Sequence, residues 1–202
     1  MKDYKAILEP ESTYHIYNRA NGNEQIFLSR PNYFFFLEGY RKYIHPHVST
    51  YCYCLMPNHF HFLVRIKPAK DLTGFQNLSG LPKEPSRFLS NQFSKFFNSY
   101  TKAFNKQQSR KGSLFIRPFK RRKVETETYL QRLVIYIHMN PVLAGLGTTP
   151  GEWEFSSYNA LISTKPSLLD RRELIELFDD KENFIYMHQN EDLSGYQNLT
   201  GL

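Results

Sequence analysis

Two histidines occupy alternate positions in MPNHFHFLV, an apolar stretch that runs from Met56 to Val64. Successive side chains of a β-strand point to opposite faces, so His59 and His61 would share one face. Phe60 and Phe62 would then point to the other face, towards the core. Two imidazoles about 7 Å apart along one strand can converge on a single metal ion between them. The pair alone leaves two interpretations open, a metal site and a purely structural pair.

A tyrosine and an asparagine stand four residues apart in YIHMNPV, residues 136–142. On a helix Tyr136 and Asn140 lie on one face, because residues i and i+4 are neighbours. A core tyrosine and a polar helix end before Pro141 would explain each residue taken singly. That interpretation does not explain why the same chain carries a histidine pair and a basic block. His138 lies about 200° round the helix from Tyr136, and we predict that it packs away from it.

The positive charge of the chain is concentrated in one block. The net charge is +7, no acidic residue lies between positions 102 and 123, and acidic residues outnumber basic ones from Glu152 onward. A basic block interleaved with Phe115 and Phe119 suits a nucleic acid better than a plain solvated face, because cations bind phosphates and rings stack on bases. The basic residues of the block are Lys102, Lys106, Arg110, Lys111, Arg117, Lys120, Arg121, Arg122 and Lys123.

Apolar periodicity and turn residues predict the elements that would position these side chains. Their order is strand, helix, strand, strand, helix, strand, helix, which is a split βαβ arrangement. We therefore predict an α+β fold of the ferredoxin-like type, an antiparallel sheet with helices on one face. The predicted elements are strand 13–19, helix 30–43, strands 48–55 and 59–66, helix 87–105, strand 113–124, and a helix 127–139 that Pro141 should end.

Four motifs occur in a fixed order along the chain: HFH, GSLFIRPFKRRKV, ETYLQRLVIYIHMNPVLAGL and WEFSSYNAL. This set resembles the REP-associated tyrosine transposases, a branch of the single-tyrosine HUH transposases of insertion sequences. The resemblance runs from about residue 13 to residue 161. It implies an HUH endonuclease fold in which His59, His61 and Asn140 hold a divalent metal, Mg²⁺ or Mn²⁺, and Tyr136 is the nucleophile.

The resemblance also implies the reaction and its substrate. Tyr136 would attack a DNA phosphate and form a 5′-phosphotyrosine link with release of a 3′-OH, so that strands can later be rejoined. The metal would offset charge that develops on the phosphate oxygens. The substrate would be single-stranded DNA beside a palindromic hairpin, cut and transferred as in transposition.

Basic residues of the strands are the predicted DNA contacts. One motif departs from the resemblance, since Arg117-Pro118 stands where many members have Gly-Arg. His15 and Tyr17 remain open, as further DNA contacts or as ordinary surface residues of an edge strand. The predicted DNA-binding residues are Arg19, Arg117, Lys120, Arg121, Arg122 and Lys123.

The chain divides by composition into a transposase domain, residues 1–150 with an insertion at about 67–86, and an acidic extension, residues 151–202. The peptide DLTGFQNLSGL in the insertion returns as DLSGYQNLTGL at residues 192–202. No apolar stretch approaches membrane length and the first residues do not resemble a secretory signal, so we predict a cytoplasmic protein without a membrane partner. Whether it acts as a monomer or a homodimer is not decided by the sequence.

Two alternatives come from other functional classes. A non-cleaving nucleic-acid-binding protein on the same fold would bind DNA without forming a covalent adduct. A zinc hydrolase would use His59 and His61, but no Glu or third His follows at the usual spacing. Both alternatives are weaker than the tyrosine transposase.

Overall fold

The computed structural model describes residues 5–72 and 84–192, and these form an α+β fold on a four-stranded antiparallel sheet. The spatial order of the strands is β2-β3-β1-β4, so that β1 is a central strand. The strands and the first two helices follow the ferredoxin-like chain order, β-α-β-β-α-β, as predicted. These strands and helices are β1 (Thr13–Arg19), α1 (Arg30–Tyr43), β2 (Val48–Met56), β3 (His59–Ile66), α2 (Pro85–Gln107) and β4 (Lys120–Val124).

One face of the sheet carries an aromatic core beneath α1 and α2. Phe60 and Phe62 of β3 are fully buried there, which confirms their predicted direction. Phe36 of α1 and Phe96 of α2 pack against each other above them, with ring centroids 4.6 Å apart. Because β3 alternates strictly, this core fixes the opposite direction for the histidines of the same strand.

The other face of the sheet is covered as well. It is covered by α3 (Glu127–Leu143) together with α4 (Tyr158–Ile162), α5 (Arg171–Glu176) and α6 (Lys181–Asn190). The prediction of helices on one face is therefore wrong. The reason is that Cys52, Cys54 and Leu63 give the second face its own apolar surface, which must also be buried. Helix α3 is apolar nearly all round and lies between two layers.

Helix α2 extends two residues beyond the prediction at each end and β2 extends one residue at its C-terminal end, and two further element ends differ by more. Helix α3 continues past Pro141 to Leu143, since a proline in the last turn costs little more than one backbone hydrogen bond. Strand β4 begins at Lys120 rather than at residue 113, because Pro118 has no N–H for the ladder. Phe115 makes only an isolated bridge with Ala20.

The described part of the extension packs on α3. Phe178 and Phe184 are fully buried in the core that α3 shares, and Nδ1 of His138 lies 2.9 Å from Nε2 of His188. The division at residue 150 stays a prediction. Most of the insertion and nearly all of both copies of the repeated peptide lie outside the described residues. Within the described ranges, no helix is long and apolar enough to cross a membrane.

Candidate functional site

His59, at the first position of β3, is oriented from both sides of its ring. Nδ1 lies 2.7 Å from the amide oxygen of Asn58, and Nε2 lies 3.4 Å from Oδ1 of Asn140 on α3. An amide oxygen only accepts hydrogen bonds, so Nδ1 of His59 carries the proton. The lone pair on Nε2 therefore points towards Asn140.

The Asn140 side chain is fixed in the complementary way. Its Nδ2 donates to the backbone oxygen of Tyr136, one turn earlier, at 2.7 Å, which leaves Oδ1 facing His59. Two acceptors thus face each other 3.4 Å apart. Two ligand atoms that each lie about 2.1 Å from one cation, with a ligand–cation–ligand angle of 90° or more, are about 3 Å or slightly more apart. The pair has the spacing of two ligands of one metal ion.

His61 is fully buried and has a nitrogen without a partner. Its Nδ1 lies 2.9 Å from Nε2 of His15, whereas Nε2 has no hydrogen bond to any described residue. Buried polar atoms are nearly always paired, so an unpaired nitrogen beside two other acceptors fits a cation ligand. The imidazoles of His59 and His61 and the amide of Asn140 therefore suit a divalent ion. No group of three His, Cys, Asp or Glu side chains able to hold a metal occurs among the described residues.

The electrostatics of the site keep these imidazoles neutral. Burial lowers the pKa of His59 to about 4, with the charge of Arg19 acting in the same direction and Oδ1 of Asn140, which accepts a hydrogen bond only from the charged ring, in the opposite one. Burial, together with the neighbouring His59 and His15, holds the pKa of His61 well below its usual range. Neutral imidazole is the form that binds metals. Protons do not compete for these nitrogens near neutral pH.

Tyr136 stands beside the three polar side chains. Its ring lies perpendicular to that of His61 with centroids 5.7 Å apart, and its side chain is largely buried. His138, two residues on, points the other way and hydrogen-bonds His188 and Ser157 at 2.9 Å each. Its predicted packing role is confirmed. The structure thus brings Tyr136, His59, His61 and Asn140 to one place.

The register of β4 divides the predicted DNA-binding residues between two faces. Lys120 pairs with Tyr17 and Arg122 with His15, so both share the face of the histidines, as does Arg19, which pairs with His59. Lys120 lies over the Tyr17 ring at 5.7 Å, and Arg122 lies over the ring of Tyr129 on α3 at 4.7 Å. Lys120, Arg122 and Arg19 together are called the histidine-face cations.

The other cations lie on the opposite face or beyond the strand. Arg121 donates to the backbone oxygen of Ala6 and to Ser90 of α2, and Lys123 forms an ion pair with Glu9. Arg117 is exposed and lines a groove of about 520 Å³ between α2 and residues 113–119. The structure therefore does not bring the predicted set together on one surface.

The aromatic residues expected at the DNA surface are buried. Phe115 and Phe119 pack under α2, so the expectation that they stack on bases is wrong. His15 and Tyr17 are also fully buried, so neither is a surface residue. The interpretation as ordinary surface residues assumed that β1 is an edge strand, whereas it is central. The alternation of Tyr14, His15, Ile16 and Tyr17 gives no signal of this, because the position of a strand in a sheet depends on distant pairings.

Comparison with known proteins completes the description of the fold. No protein-family model and no curated protein matches the sequence. One solved structure, a REP-associated tyrosine transposase bound to a REP hairpin, has a TM-score of 0.59 and 13% sequence identity, covering 84% of this chain and 94% of that chain. A likeness at this identity concerns the fold. The chain has the open antiparallel α+β fold of a REP-associated tyrosine transposase, the family that its motifs resemble.

Proposed function

We propose that this protein is a metal-dependent single-stranded DNA endonuclease and strand transferase with a tyrosine nucleophile. One observation carries the proposal: the side chains of His59, His61 and Asn140 converge beside Tyr136. Nε2 of His59 lies 3.4 Å from Oδ1 of Asn140, and the centroid of the His61 ring lies 5.1 Å from that of His59 and 5.7 Å from that of Tyr136. The fold of the solved transposase and the order of the sequence motifs support it. A non-cleaving binder would have no use for that convergence.

His59, His61 and Asn140 would hold the ion, Mg²⁺ or Mn²⁺, which when bound polarises a non-bridging oxygen of the scissile phosphate. The ligand set contains no carboxylate, so it leaves the charge of the ion for the DNA. The Tyr136 oxygen attacks phosphorus and loses its proton. As the new O–P bond forms, the bond from phosphorus to the 3′ oxygen breaks, which leaves a 5′-phosphotyrosine and a free 3′-OH. Attack by another 3′-OH on that link reverses the step and joins strands.

The histidine-face cations would guide the DNA backbone to Tyr136. They lie on the histidine face of β1 and β4, and Arg122 stands over Tyr129 at the start of α3, two turns before the nucleophile. Cations at such positions bind phosphates without reading bases. The hairpin substrate is proposed from the solved structure, which holds a REP hairpin.

The test is covalent capture. The protein is incubated with 5′-labelled and 3′-labelled hairpins that carry single-stranded flanks, with Mn²⁺ or Mg²⁺, and run on a denaturing protein gel. We expect an adduct that retains only the 3′ label, lost in Tyr136→Phe and with a chelator, and kept in Tyr186→Phe, whose side chain is 62% exposed on α6. Tight, salt-sensitive binding without any adduct would instead establish the non-cleaving binder.

A further inference from the structure

His15 is a buried titratable residue for which the proposed reaction has no step. We propose that His15 is a positioning residue that fixes the tautomer and the ring orientation of His61, so that Nε2 of His61 offers its lone pair to the cation. The inference rests on the proposed function, because it concerns the same metal site. This role differs from the two that the sequence left open for His15, a DNA contact and an ordinary surface residue.

The geometry of the two rings excludes independent movement. Nε2 of His15 lies 2.9 Å from Nδ1 of His61, and both side chains are fully buried. The two rings are nearly coplanar, with planes 24° apart and centroids 5.1 Å apart, and His15 stacks on Tyr17 at 4.4 Å. Tyr17 in turn pairs with His61 across β1 and β3. The orientation of the His61 ring is therefore set by side chains of β1, the antiparallel neighbour of β3.

A single proton bridges the two nitrogens, and its position decides whether the site can bind a cation. If Nδ1 of His61 carries it, His15 accepts the hydrogen bond and Nε2 of His61 has a free lone pair. If His15 carries it, Nδ1 of His61 must accept, and a neutral His61 then bears its proton on Nε2, where it blocks a cation. Nδ1 of His15 and Nε2 of His61 have no hydrogen bond to any described residue, so the remaining contacts do not choose between the states.

A cation at Nε2 of His61 selects the state in which Nδ1 of His61 carries the proton. Because coupling between two binding events is reciprocal, a hydrogen-bond acceptor at position 15 strengthens cation binding. His59 provides the parallel within the same site. Its Nδ1 donates to the amide oxygen of Asn58, a group that can only accept. Both histidines thus present Nε2 inward, one held by an amide and the other by a second imidazole.

Two substitutions separate an acceptor role from simple packing. His15→Gln keeps an oxygen near the position of Nε2, whereas His15→Phe keeps the ring and its stacking on Tyr17 but removes the acceptor. We expect Mn²⁺ affinity without DNA, measured by electron paramagnetic resonance of the free ion, to fall about 10-fold to 100-fold in His15→Phe and to stay within about 3-fold in His15→Gln. A melting curve with a chelator checks that each variant is folded.

A second measurement uses the unmodified protein and does not depend on either variant folding. Nitrogen NMR of ¹⁵N-histidine-labelled protein with Mg²⁺ should show His61 protonated on Nδ1. Equal Mn²⁺ affinity of folded His15→Phe and wild type, or protonation on Nε2, would overturn the role of His15 and leave the proposed function standing. Absence of Mn²⁺ binding to the wild type would overturn the metal site itself and with it both proposals.

Discussion

Each side chain proposed to hold the cation has one polar atom fixed by a neighbour and another directed inward. Nδ1 of His59 donates to Asn58, and Nδ2 of Asn140 donates to the backbone of Tyr136. Fixed partners of this kind remove wrong tautomers and rotamers before any ligand binds. The site is therefore organised by hydrogen bonds within the chain.

Substitution of Asn140 tests whether its oxygen is a ligand. Asn140→Leu keeps the volume and removes Oδ1, and Asn140→Asp keeps an oxygen and adds a negative charge, while both lose the bond to the Tyr136 carbonyl. We expect Mn²⁺ affinity to fall about 10-fold or more in Asn140→Leu and to rise above wild type in Asn140→Asp. Calorimetric titration without DNA measures both. Wild-type affinity in Asn140→Leu would exclude this ligand.

At the scale of elements, the register of β4 determines the use of the basic stretch KRRK. Adjacent residues of a strand point to opposite faces, so two of its cations lie on the histidine face and two support α2 and the segment before β1. A charge cluster in sequence is thus not a cluster on the surface. Only half of this one lies where the proposed DNA path runs.

The two faces of β4 predict different effects on DNA binding. Arg122→Ala should weaken binding of a single-stranded oligonucleotide several-fold and reduce the slope of log K against log salt by about 0.7, the loss of one phosphate contact. Lys123→Ala is the matched control on the opposite face, where the side chain pairs with Glu9, and should change neither quantity appreciably. Fluorescence anisotropy at several salt concentrations measures both. Equal effects of the two substitutions would refute a DNA path along the histidine face.

At the scale of the whole molecule, α3 is a central layer. It carries Tyr136 and Asn140 towards the sheet, and on its other side His138 hydrogen-bonds His188 of α6. The described part of the acidic extension therefore supports the helix that holds Tyr136. The position of Tyr136 depends on packing from both sides.

Buried neutral histidines make the stability of this arrangement sensitive to acid. Burial lowers the pKa of His188 to about 4, and it holds the pKa of His138 well below its usual value near 6.5. The unfolded chain takes up protons from about pH 6.5 downward while the folded chain does not. The free energy of unfolding should therefore fall as the pH drops from about 6.5 towards 4, by up to about 1.4 kcal/mol per pH unit for each such histidine.

Urea unfolding of the metal-free protein between pH 7.5 and 5 measures this dependence. In His188→Gln one of these groups is absent, so the slope of the free energy of unfolding against pH below 6 should decrease by about 1 kcal/mol per pH unit. The absolute stability of the variant is not the readout, because the substitution also changes hydrogen bonds. An unchanged slope would show that His188 is not buried as a neutral group.

The sequence by itself determined what depends on local periodicity. His59 and His61 must share one face of a strand, and Tyr136 and Asn140 one face of a helix, because these spacings follow from backbone geometry. The ends of β1, α1 and β3 agree with the prediction because their periodic segments are bounded by turn residues or proline. The order of the elements gave the α+β fold for the same reason.

The tertiary structure decided what depends on pairings between distant segments. Only the strand order makes β1 central, which buries His15 and places it against His61. Only the register between β1 and β4 assigns Lys120 and Arg122 to the histidine face. Only the packing of α3 and the extension on the sheet shows that its second face is covered. Such contacts join residues far apart in the chain, and the local patterns that predict strands and helices carry no information about which strand lies beside which.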